Sequence, residues 1–192
     1  MGWRAGLIAA GFCAFAGVGV AQTCVDVKTF DFRNATIEVA ARDDGGHSGV
    51  DSFHLRDGVA FTSDDPDSPD AHDWRVIVVL DRTVHPEAQT WLRVLVLEKD
   101  HLTGSGSWYY VLAFDCRNGK VSRVFQYGSL NVSLQHLDDA EIDLHQAVRL
   151  PGDSQAEPSW HCDLVYRWSA SVHRYIRASR NCGAGAGNAT SK

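Results

Sequence analysis

Hydrophobic and polar positions along much of the chain repeat with the period of two that marks a half-buried β-strand. Ile142, Leu144, Val148 and Leu150 interleave with Glu141, Asp143, His145 and Arg149, Gln146 being the polar exception. Turn chemistry separates the strand-like runs. Asp57-Gly58 lies between Phe53-His54-Leu55 and Val59-Ala60-Phe61, and Asn118-Gly119 lies between the aromatic and β-branched runs 108–116 and 120–127. Both dipeptides tolerate the positive φ angles that tight hairpins need. Further on, 162–168 and 172–177 flank Ser169-Ala170-Ser171. A three-residue loop there sets Asp163 against Arg177, Leu164 against Ile176 and Trp168 against Val172, matching charge with charge and apolar with apolar.

Three segments, 74–81, 91–98 and 108–115, share a different pattern. Each runs from a tryptophan (Trp74, Trp91, Trp108) through mostly apolar positions to a carboxylate (Asp81, Glu98, Asp115). Strands under one shared burial demand converge on such a pattern, which places the three in the middle of a sheet. Pro86-Glu87-Ala88-Gln89 reads as a helix start and offers a helical alternative for the second segment, here assigned as a strand. A helical turn is expected around Val132–Leu137. The sum is a mainly β fold of eight or nine strands, an antiparallel sheet, sandwich or barrel, with at most one or two short helical turns.

The chain begins with a short positive start, Met1-Gly2-Trp3-Arg4, and an apolar stretch over 5–21, with Gly19 and Ala21 as small residues before Gln22. This is the pattern of an export signal over 1–21, leaving no membrane span after cleavage. One β-rich domain is expected over 22–182. The Gly- and Ala-rich tail 183–192 reads as disordered.

Cys13 departs with the signal, and Cys24, Cys116, Cys162 and Cys182 remain. An even number of cysteines in an exported chain points to two disulfides. Cys24 and Cys182 lie near the two ends of the mature chain and Cys116 and Cys162 at strand ends, which favours Cys24–Cys182 with Cys116–Cys162.

Of the 192 residues, 18 are Lys or Arg and 24 Asp or Glu, a net charge of −6. Losing Arg4 leaves 17 against 24, or −7, and net acidity argues against a nucleic-acid partner. The charge is polarised. Residues 43–73 hold nine Asp and Arg56 alone, −9 + 1 = −8, whereas 164–192 hold Arg167, Arg174, Arg177, Arg180 and Lys192 and no acid, +5.

Asp64, Asp65, Asp67 and Asp70 in the acidic loop supply the oxygen donors that Ca²⁺ takes, although two prolines stand where an EF-hand loop turns on glycine. The alternative is a solvated turn. On the register above, Arg167, His173, Arg174, Tyr175 and Arg177 make a cationic patch around an aromatic ring, suited to an anionic polymer or an acidic protein surface. A charged edge strand that resists aggregation has the same composition.

Catalytic signatures are weak. Asp100-His101 precedes Ser105 and Ser107, but the glycine spacing is not a nucleophile elbow. Asp81 and Asp115 would reach one end of an up-and-down sheet, with no cleft visible in sequence. The nine histidines show no zinc spacing. Asn34, Asn131 and Asn188 open N-glycosylation sequons. With no catalytic residues and no cofactor assigned, the expectation is a secreted or periplasmic binding module that meets an extracytoplasmic protein or anionic polymer. A small hydrolase using Asp and His, or an envelope-associated structural protein, is the alternative.

Overall fold

The computed structural model describes residues 23–42, 48–62, 73–102, 107–148, 150–153 and 158–184. The proposed signal, the acidic loop with Asp64, Asp65, Asp67 and Asp70, Ser105, and the tail beyond Ala184 lie outside the described residues.

The described chain is mainly antiparallel β, with one 3-10 turn at Phe32–Asn34 and no α-helix among the described residues. Strands β1 (Thr36–Arg42) and β2 (Ser48–His54) form a two-stranded ribbon. The central sheet runs β3 (Val59–Thr62), β4 (Trp74–Glu87), β5 (Thr90–His101), β6 (Ser107–Arg117) and β7 (Lys120–Leu130), in chain order. A second sheet follows, again in chain order, with β8 (Val132–Leu137), β9 (Glu141–Val148), β10 (Trp160–Ser169) and β11 (Arg174–Ala184). Within each sheet consecutive strands are neighbours, so the topology is up-and-down, with the β2–β3 and β7–β8 connections passing between sheets, and the sheet curls into a half-barrel.

Three layers result, and the central one is buried on both faces. Leu95, Leu97, Tyr110, Leu112 and Phe114 pack against Phe32, Ile37, Val39 and Phe53 of the N-terminal layer. The alternate residues Leu92, Val94, Val96, Val111 and Ala113 pack against Ile142, Leu144, Leu164 and Tyr175 of the second sheet. This accounts for the three tryptophan-led runs: a strand covered on both sides has no polar face to alternate with. They are β4, β5 and β6, and the second is a strand rather than a helix. In β4 a register shift between Val78 and Leu80 changes the face, so Val76 and Val78 join one core while Leu80 and Val84 join the other.

Both Gly-containing turns form, with Asp57 and Asn118 at φ 51°, but only Asn118-Gly119 closes a hairpin. β2 and β3, on either side of Asp57-Gly58, enter different sheets, and only Arg56 and Val59 bridge that turn. The first is gripped by the 3-10 turn. Gly58 N–H donates to Arg33 O (2.7 Å), and a Cβ at Gly58 would meet the Arg33 guanidinium at 2.8 Å.

Three expectations need correction. The segment Val132–Leu137 is strand β8, not a helical turn, because pairing with β9 directs Val132 and Leu137 into the inter-sheet core. The disulfides are Cys24–Cys116 and Cys162–Cys182. Cys24 runs beside the β6–β7 turn, its N–H donating to Gly119 O (2.8 Å), while Cys162 and Cys182 face each other across β10 and β11. Nearness to the chain ends was a poor guide to nearness in space.

The third correction concerns the last hairpin. Its loop has four residues, 170–173, and Ser169 pairs with Arg174. Trp168 therefore faces Tyr175, Leu164 faces Arg180 and Asp163 faces Asn181, with Ala178 bulged. His173 takes the left-handed conformation (φ 50°) that the longer loop requires. Moving the register inverts the faces: Tyr175 is buried against Phe125, whereas Ile176 and Val172 are 47% and 51% exposed.

Candidate functional site

The end of β6, the start of β7 and the β10–β11 loop converge on one cleft of about 460 Å³. Asp115, Arg117, Ser122, Arg123, Gln126, His173 and Arg174 are among its lining residues. Asp115 is the buried charged residue among the described residues, 3% exposed at the end of an otherwise apolar strand. Such a carboxylate must be paired. Its Oδ2 accepts from His173 Nε2 (2.6 Å) and Arg117 Nε (3.1 Å), while Oδ1 is buried without a protein partner. With Nε2 so placed, Nδ1 of His173 is left as the ring's second nitrogen.

The His173 ring also stands edge-on to Trp168 at 4.7 Å. Trp168 Nε1 in turn donates to Glu87 Oε1 (2.9 Å), which accepts from Thr90 Oγ1 as well (3.0 Å). Those two hydrogen bonds, the Trp168 one foremost, hold the Glu87 carboxyl below its ordinary range, with His173 and Arg117 adding charge. A polar chain thus runs from β4 through the hairpin tip to β6 and pins the tip over the end of the core.

The arginines around the cleft differ in what they are free to do. Arg123 donates to the backbone oxygen of Glu38, and burial lowers its pKa. Beside it, Gln126 clasps Ala40 with both amide atoms, donating to Ala40 O (2.8 Å) and accepting from Ala40 N–H (3.1 Å). Arg117 serves Asp115. Arg174 and Arg177 are exposed and take no ion pair among the described residues.

The expected basic patch is therefore divided. His173 and Arg174 reach the cleft and Arg177 stands nearby on the same strand. Tyr175 is buried in the core, and Arg167, across from Ile176 on the face away from Tyr175 and Arg177, is bound to Glu141 (2.5 Å). Sequence reasoning had weighed Asp115 with Asp81, but Asp81 is held by Arg93 (2.8 Å from Nη2). Glu87, Arg117 and Ser122 were missed as site residues. The strand-terminal acid of a doubly buried run was the available signal for Asp115, and no local motif marks the others.

The other constellations do not assemble. Ser107 bonds Asp100 across the β5–β6 hairpin, but His101, adjacent on the strand, packs edge-on to Trp74 (4.6 Å). His145, His161 and Asp163 do meet on the outer face of the second sheet. Both nitrogens of His145 are engaged internally, Nδ1 with Asp163 (2.8 Å) and Nε2 with His161 Nδ1 (3.1 Å), and no described group of three His, Cys, Asp or Glu is arranged to hold a metal ion. Of the sequons, Asn34 uses its amide to bind Asp31 (2.8 Å) and Asp57 N–H (2.9 Å), while Asn131 is an exposed turn residue.

Compared with known proteins, the chain matches no family model, no curated protein and no solved structure. Two disulfides place it among folds suited to an oxidising compartment. No described helix is long and apolar enough to cross a membrane.

Proposed function

We propose that the chain is exported to the periplasm or the cell exterior and acts as a binding module, its contact surface being the basic end of the C-terminal hairpin beside the cleft. Its partner is an extracytoplasmic protein or polymer that presents anionic groups. One observation carries this reading: the cleft's own carboxylate, Asp115, is already paired with His173 and Arg117, and the exposed Arg174 and Arg177 take no counter-charge among the described residues. Guanidinium groups in that condition take up carboxylate, sulfate or phosphate oxygens at little internal cost.

The test is capture of dextran sulfate and of an acidic polypeptide by the disulfide-intact chain. R174A/R177A is expected to weaken binding at least about tenfold, the loss of one or two charge-assisted contacts. R167A, whose guanidinium already has a partner, is expected to bind like the parent. Equal binding by all three proteins contradicts the reading.

A hydrolytic second reading is favoured by one observation. Asp115 orients His173 in the same cleft as Ser122, which sits directly opposite Asp115 across β6 and β7. Labelling of Ser122 by a fluorophosphonate, abolished by H173A, would support it, whereas an unlabelled parent protein leaves the Asp115–His173 contact as a latch on the hairpin.

A further inference from the structure

β11 is paired with β10 on one side and, among the described residues, has no strand beside its other edge. Which of its peptide groups point outward follows from the ladder. Ala147 N–H donates to Asn131 O (3.0 Å), so alternate residues of β9, His145 and Ala147, bond towards β8, and Leu144 and Gln146 bond towards β10. Carrying that alternation across β10 makes Asp163–Asn181 and His161–Gly183 hydrogen-bonded pairs. Cys162 and Cys182 are then a narrow, non-bonded pair, in keeping with their Cα separation of 4.1 Å. The peptide groups of Arg180 and Cys182 therefore face outward, as do those of Tyr175 and Arg177 beyond the bulge at Ala178.

The side chains follow the same alternation. Arg177 and Arg180 share the face of Tyr175 and Cys182, yet both are exposed. Ile176 stands exposed on the other face. The other edges of the two larger sheets are less open: β3 has four residues, β8 has six with a register shift, and β7 is tied to β1 through Gln126 and Arg123. Pairing β11 with another β11 would set these arginines against one another, so the charge selects against a second copy.

We infer that the outer edge of β11 receives an extended acidic polypeptide as an added strand, with carboxylates at alternate positions beside Arg177 and Arg180 and apolar side chains beside Ile176. This rests on the reading of the basic hairpin as the contact surface and names how it holds its partner, through main-chain hydrogen bonds as well as charge.

The probe is the peptide acetyl-(Val-Glu)4-amide, titrated calorimetrically into the full oxidised chain. Arg180→Pro removes an outward N–H while leaving the β10 ladder intact, a position where proline is tolerated, and Arg180→Gln removes the charge alone. The expected result is that Arg180→Pro binds at least about fivefold more weakly than Arg180→Gln, the loss of one main-chain hydrogen bond. Independently of any variant's folding, N-methylating the peptide at one set of alternate residues abolishes binding, and methylating the other set leaves it unchanged. Equal binding by both methylated peptides overturns strand addition. If the parent chain binds dextran sulfate but not the peptide, strand addition falls and the anion-binding function stands. If it binds neither, both fall.

Discussion

The two sheets solve the burial problem differently. The central sheet has a layer on each face, so β5 and β6 are apolar in consecutive positions and their side chains divide between two cores. The second sheet has one packed face, so β9 alternates but for Gln146, and β9 and β10 carry His145, His161, Asp163 and Arg167 outward. Their covalent staples differ too. Cys24–Cys116 ties the N-terminal layer to the central sheet across 92 residues, whereas Cys162–Cys182 closes a hairpin of 20. What the difference teaches is where freedom remains: the inner sheet is committed to packing on both sides, whereas Arg174 and Arg177, which take no ion pair among the described residues, stand exposed on the last strand of the outer one.

The sharpest way to break the comparison is to remove a staple from each region. By loop-closure entropy, replacing Cys24 and Cys116 with Ala costs about 4–5 kcal/mol and replacing Cys162 and Cys182 about 3 kcal/mol. Urea denaturation of the two double variants measures the difference, and a reversed order would show that the N-terminal layer contributes little. Next in size, Leu112→Ala in the doubly covered sheet should lose about 2–5 kcal/mol in the same assay, while Ile176→Ala on the open face should lose less than about 0.5 kcal/mol.

Smaller effects sharpen the account of the rim. His173→Ala leaves the Asp115 carboxylate with Arg117 alone, and a loss of about 1–3 kcal/mol is expected, with faster amide exchange in the β10–β11 loop than in β6. The smallest is a titration. Glu87 has a depressed pKa, so its contribution to stability is present above its unfolded value and fades as pH falls through the folded one. Trp168→Phe removes the leading cause of that depression. The Glu87 carboxyl, followed by carbon-13 NMR, is expected to titrate at higher pH in the variant, and an unmoved curve would show that Trp168 does not hold it.

Much of this contrast was legible in the amino-acid order. The glycine turns marked two β-turns, and three tryptophan-led runs marked the middle of a sheet because double-sided burial leaves a continuous apolar signature. Alternation marked β9 for the opposite reason. What was hidden depended on partners far along the chain. The pairing of Cys24 with Cys116 needs the N-terminal segment to lie beside the Asn118-Gly119 turn, which no local pattern encodes. The last hairpin was misread by its loop length: charge and apolar matching fit the shorter loop, but burial of Tyr175 against Phe125 and the His173–Asp115 contact hold the longer one. The cleft was invisible for a related reason, since Asp115, Ser122 and His173 come from three elements that only the folded chain brings together.

Peptide mapping of the oxidised chain under non-reducing conditions tests the separate stapling of the two regions most directly. The structure predicts one linked peptide containing Cys24 and Cys116 and another containing Cys162 and Cys182. Recovery of Cys24 joined to Cys182, or of all four as free thiols, would contradict it.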